Sequence, residues 1–148
     1  MTLEDLEMRL SKLEAIESIK QLKARYAFAC DDMHNPDDVA ALFVEDGVWE
    51  HDSYIAHGRE EIRQLFRQFG DMWQFSQHNM LNPLITVDGD SAAGVWYILA
   101  LFTDARSGVS HWSALRYDDS YVKVGDEWLF SRLRVRPRAK IVATQKGP

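Results

Sequence analysis

MWQFSQHNMLNPLITV (residues 72–87) and SAAGVWYILALFTDA (residues 91–105), joined across Asp88-Gly89, decide the architecture. Two runs rich in β-branched and aromatic residues flank an Asp-Gly pair, which is a strong hairpin signal. The pattern repeats downstream. VSHWSALRYDDSYVKV (109–124) and EWLFSRLRVRPRAK (127–140) flank Gly125-Asp126. Strands this long predict a strongly twisted and curved sheet.

Upstream of Met72 the chain is helical. Leu3, Leu6, Leu10 and Leu13 recur at helical spacing, and Ile16, Ile19, Leu22, Tyr26 and Cys30 continue the stripe with some drift. This predicts a long first helix, interrupted near Ala15 and ending around Asp32. Asn35 and Pro36 form an N-cap and first-turn pair for a short second helix, with Asp37 and Asp38 at its positive end. That helix packs Val39, Leu42 and Phe43 and stops at Asp46-Gly47. VWEHDSYIAHG (48–58) reads as a small hairpin. A third helix follows with Ile62, Leu65, Phe66 and Phe69 on its buried face, and Gly70 ends it. Helices segregated from a strand meander imply an α+β fold, in which a curved antiparallel sheet wraps the N-terminal helices into a cone with one open end. Such concavities are natural ligand sites.

Composition narrows the function. The 148 residues carry a formal charge of −6, which argues against a general nucleic-acid binder. A single cysteine, Cys30, excludes an intrachain disulfide framework and a Cys-rich zinc site. His34, His51, His57 and His111 show no metal-ligand spacing. The charged N-terminus lacks a secretory core and no apolar run approaches a membrane span, so the expected setting is the cytoplasm, without membrane or nucleic-acid partners. One domain spans residues 1–148, with a core over roughly 10–138 and a basic tail over 139–148. From Trp128 onward there are six basic residues and no acidic ones.

Two segments hold the parts of an acid–base site: Tyr26 and Asp31 in YAFACDDMHNP (26–36), and His78 in FSQHNMLNPLITV (75–87). An imidazole takes a proton at neutral pH, a carboxylate orients it and a phenol polarises an oxygen. Five residues turn an ideal helix by about 500°, leaving Tyr26 and Asp31 roughly 140° apart. They converge only where the helix bends or ends between them.

ESIKQLKARYAFACDD (17–32), DVAALFVEDGVWE (38–50), HGREEIRQLF (57–66) and GDEWLFSRLRV (125–135) resemble the signature segments of the SnoaL-like group of the nuclear transport factor two-like superfamily. The resemblance covers roughly residues 10–138. Tyr26, Asp31 and His78 match positions used by its scytalone dehydratase-like branch, and Asp31 and His78 match the dyad of a related dehydrochlorinase. The resemblance implies a cofactor-independent lyase. In it His78 abstracts a proton, Asp31 orients His78 and Tyr26 assists the oxygen during dehydration of a small, mostly apolar molecule of cyclic, polyketide or steroid type. It places Trp49 and His111 at the pocket, and Arg134 from the last strand as well. Alternation puts Arg132, Arg134, Arg136 and Arg138 on one face, so a bulge or the Pro137 kink must redirect one of them for an Arg to point inward. Isomerase or cyclase chemistry with the same base, and a binding or scaffold role like that of dioxygenase small subunits, remain open. Homo-oligomerisation as dimer or trimer is expected of this fold type.

Overall fold

Thr2 caps the first helix with a reciprocal capping box, its side chain accepting from the Asp5 N–H while the Asp5 carboxylate accepts from the Thr2 N–H. The computed structural model describes residues 1–146, with side-chain environments through residue 143. Helix α1 (Leu3–Asp31) runs without the break expected near Ala15. Its first three turns leave Leu3, Leu6, Leu10 and Leu13 exposed. From Ala15 onward the helix enters the core, burying Ile19, Leu22, Tyr26 and Cys30.

Helix α2 (Pro36–Ala41) ends before Asp46-Gly47. Phe43 already belongs to strand β1 (Phe43–His51), and Asp46-Gly47 lies in a register irregularity inside that strand rather than at a helix end. A Cβ on Gly47 would stand 3.0 Å from Phe43 Cβ, so the irregularity needs glycine there. Strand β2 (Tyr54–His57) completes the small hairpin and leads into α3 (Gly58–Met72). Gly70 does not stop α3 but lies within it. A Cβ there would meet the Met33 carbonyl oxygen at 2.7 Å, so this glycine lets α3 press against the turn that follows α1.

Strands β3 (Trp73–Asp88), β4 (Ser91–Asp104), β5 (Val109–Val124) and β6 (Glu127–Lys146) form the long meander. The sheet order is β2-β1-β6-β5-β4-β3. It is curved and unclosed, and it departs from a purely antiparallel sheet because β1 pairs with β6 in parallel, Trp49 opposite Leu133. Residues 139–146 extend β6 along β5 instead of forming a tail. Inward positions alternate along the strands: Trp96, Ile98 and Ala100 on β4, then Leu115, Tyr117 and Asp119 on β5. α1 lies in the concavity, and α2 with α3 covers its end. Among the described residues, no helix is long and apolar enough to cross a membrane.

Candidate active site

Asp31 is the last residue of α1, at the negative end of the helix dipole, where an acid is least favoured. What holds it there is strand β3. The His78 backbone N–H donates to Asp31 Oδ1 and Oδ2 at 3.1 and 3.0 Å, and the Ser76 hydroxyl donates to Oδ1 at 3.3 Å. His78 Nδ1 lies 2.7 Å from Asp31 Oδ1. The carboxylate takes the Nδ1 proton as its hydrogen bond, leaving Nε2 with its lone pair. The His78 side chain is 4% exposed and packs edge-on to Phe102, with ring centroids 5.2 Å apart. Its cross-strand neighbour is Ala100, whose small side chain leaves space in front of the ring. Asp32 points away and accepts from Asn35.

That space is a cavity of about 540 Å³. Aromatic side chains dominate its wall, and among the described residues no Asp or Glu lines it. Tyr26 forms part of the floor. It is fully buried; its hydroxyl accepts from Trp49 Nε1 at 2.9 Å and is also hydrogen-bonded to Cys30 and Tyr117. Burial raises its pKa well above the usual tyrosine value, so it stays protonated. Tyr26 and Asp31 remain on different sides of a helix that is regular through both. They do not touch each other. Tyr26 reaches the cavity directly, whereas Asp31 acts on it through His78.

Trp49 lines the cavity, with His51 stacked on it at 6.3 Å. His111 also faces inward, stacked on Phe102 at 5.3 Å, and burial followed by the nearby Lys140 lowers its pKa. Arg134 is not brought to the site. Leu133 and Val135 point inward on either side of it, so Arg134 shares the outer face with Asp118 and Glu50. A bulge does occur in β6: Leu115 pairs with Pro137 but Ala114 with Ala139. It reverses the alternation at Arg138, whose guanidinium turns outward over Tyr97. Lys140 then falls in register with the inward-facing Ser113, and both Arg138 and Lys140 are among the residues that line the cavity.

Two features were not anticipated from the sequence. His34, Tyr117 and Lys140 line the cavity. Beneath the floor, Lys23 and Asp119 form a fully buried ion pair of 2.7 Å. Lys23 Nζ also lies 4.2 Å from the Tyr117 ring centroid, and Asp119 accepts from the Tyr121 hydroxyl. Cys30 is buried beside Tyr26, and desolvation drives its thiol pKa far up, so it behaves as a small apolar residue. Among the described residues, no group of three or more His, Cys, Asp or Glu side chains is placed to hold a metal ion.

Comparison with known proteins fits this architecture. The chain belongs to the SnoaL-like domain family, whose model matches residues 11–134. A solved structure from Novosphingobium aromaticivorans, provisionally named a scytalone dehydratase, is 24% identical with a TM-score of 0.82, covering 91% of each chain. Hexachlorocyclohexane dehydrochlorinase LinA-type3 from Novosphingobium barchaimii is 20% identical with a TM-score of 0.84, covering 92% of this chain and 94% of that one. An NTF2-like protein with a cystatin-like fold, from Novosphingobium aromaticivorans, is 22% identical with a TM-score of 0.74, covering 90% and 88%. At these identities the likeness is one of fold.

Proposed function

We propose that this protein is a cofactor-independent lyase that eliminates water from a small, mostly apolar, ring-bearing molecule. The observation that carries the reading is the Asp31–His78 pair, 2.7 Å apart, with the second imidazole nitrogen free at an aromatic cavity. His78 Nε2 removes a proton from carbon. The C–H electron pair becomes the new double bond as the C–O bond breaks, and the departing oxygen takes up a proton and leaves as water. Asp31 fixes the tautomer and stabilises the imidazolium, as in other carboxylate–imidazole pairs. Tyr26, protonated and with its oxygen held by Trp49, donates to a substrate oxygen at the floor. Trp49 and His111 shape the wall. The dehydratase and dehydrochlorinase names carried by structural neighbours are eliminations, which supports this class of reaction.

His78→Ala is the test. On a substrate found by screening cyclic hydroxy compounds for loss of one water by mass spectrometry, the variant should lose at least about a hundredfold in kcat/KM while keeping its melting temperature. Full turnover by the variant would overturn the assignment. A wild-type product of unchanged mass would replace elimination with isomerisation by the same base.

A further inference from the structure

His34 is 4% exposed, and neither ring nitrogen has a protein hydrogen-bond partner among the described residues. It lines the cavity, and its ring centroid is 6.1 Å from that of His78. Its position is built rather than incidental. Met33 and His34 both take left-handed backbone conformations, each with φ of 52°, immediately after α1. The His34 N–H closes onto the Cys30 carbonyl and the Asn35 N–H onto the Ala29 carbonyl, both at 3.0 Å. The ring is then wedged against Phe66 and Phe69 at 6.1 and 5.9 Å. The nitrogens are not sealed off in the core, because the ring lines the cavity, so their hydrogen bonds are made to what enters it. Burial, followed by the neighbouring His78, pushes its pKa down to about 4, so at neutral pH the ring carries one N–H donor and no charge.

We propose that His34 is a substrate-contacting residue that donates its ring N–H to the carbonyl oxygen of a compound whose adjacent C–H faces His78. This deepens the lyase reading and rests on His78 being the base. The spacing suits the chemistry. A carbon about 3–3.5 Å from His78 Nε2 and an oxygen about 2.7–3.1 Å from a His34 nitrogen can belong to one C–C=O unit, because the two atoms are only two bonds apart. Proton removal beside a carbonyl moves the C–H electron pair into an enolate, so the charge develops on the oxygen that His34 holds. Expulsion of the leaving oxygen from that enolate completes the elimination proposed above.

Two dyes test the contact without any turnover, so this assignment can fail independently of the lyase reading. The probe is 6-propionyl-2-(dimethylamino)naphthalene, whose emission shifts to the red when its carbonyl accepts a hydrogen bond. The control is 2-(dimethylamino)naphthalene, the same ring system without the carbonyl. His34→Phe should weaken the ketone dye about three- to tenfold, the value of one neutral hydrogen bond, shift its bound emission to the blue, and leave the control dye unchanged. His34→Asn, which keeps a donor and tolerates the left-handed backbone, should restore part of the red shift. Where a variant fails to fold, ¹⁵N spectra of histidine-labelled wild-type protein decide. The His34 ring nitrogens should shift on adding the ketone dye and not on adding the control. Equal weakening of both dyes, an unmoved emission, unmoved His34 resonances, or no saturable binding of the ketone dye to the wild type would each overturn the proposal.

Discussion

An acid at the C-terminal end of a helix works against the helix dipole, and Asp31 is tolerated because strand β3 surrounds it with donors. The same arrangement makes the aspartate hard to replace. In Asp31→Asn the amide oxygen turns to accept the His78 backbone N–H, which leaves the NH₂ facing Nδ1. The ring must then carry its proton on Nε2 and can no longer accept one. The expected loss is about 10²- to 10⁴-fold in kcat with little change in KM; an unchanged kcat would show that the tautomer does not matter. His34 gives a second prediction, on stability. Its folded pKa, about 4, lies below the unfolded histidine value of 6.5, with His78 opposing and Asp31 favouring the charged form. The unfolded chain therefore binds the proton first as pH falls, and stability declines from about pH 6.5 down to 4. Between pH 7 and 5 this residue should account for about 2 kcal/mol of lost stability, read as the difference in urea unfolding between wild type and His34→Asn. Equal pH dependence in the two proteins would refute it. Tyr26, Asp31 and His78 were legible because each stands in a segment with its own pattern. His34 was not, because nothing in DDMHNP says that two successive residues will turn left-handed and fold the ring back over the cavity. Histidine's tolerance of that conformation was the one available hint.

The elements follow local rules where those rules are strong and depart from them where distant contacts intervene. Asp88-Gly89 and Gly125-Asp126 turn the chain as expected, with Gly89 and Gly125 at positive φ. Gly70 looked like a helix stop, yet it sits inside α3 because the Met33 carbonyl passes too close for any side chain. The parallel pairing of β1 with β6 joins segments about eighty residues apart, and no local pattern encodes it. Arg134 stays on the outer face because the bulge that redirects β6 falls beyond it, at Arg138. Strict alternation describes β6 only up to the Arg138 bulge, after which Lys140 falls in register with the inward-facing Ser113. The tie between α1 and β5 was equally hidden, because Lys23 on an apolar helix stripe makes sense only once Asp119 is opposite it. Burial lowers the Lys23 pKa and raises that of Asp119, and each limits the other's shift. Removing one partner leaves a buried, unpaired charge. Lys23→Met should therefore destabilise the fold by about 3–5 kcal/mol, seen as a lower urea midpoint at constant slope. The double variant Lys23→Met, Asp119→Asn should recover much of that loss. A single variant within experimental error of wild type would mean that water reaches the pair.

At the scale of the whole molecule, the curved sheet has two faces with different demands. The inner face is filled by α1 and the cavity. The outer face carries a row of ion pairs, with Arg116 and Arg136 both on Asp118 and Arg132 on Glu50. Beside it lies an uncovered apolar area: Leu81 opposite Tyr97, Leu101 opposite Trp112, and Trp112 opposite Ile141. Trp112 is 40% exposed and Ile141 69%, large values for side chains of this kind on adjoining strands. Contiguous exposed apolar surface on a sheet marks an interaction site or an aggregation hazard. The polar pairs along its margin match the rim expected around an apolar contact. We therefore expect two or three copies of the chain to associate through this face. The cavity opens on the opposite side of the sheet, so association need not block it. Sedimentation at micromolar concentration should give the mass of a dimer or trimer for the wild type. Trp112→Glu places a charge at the centre of the patch and should shift the population to monomer while leaving the Asp31–His78 pair, and any activity it supports, in place. A monomeric wild type would remove this role from the outer face. A monomeric Trp112→Glu variant that had lost activity would instead mean that association helps to shape the cavity, through β5, which carries Trp112 outward and His111 inward on consecutive residues.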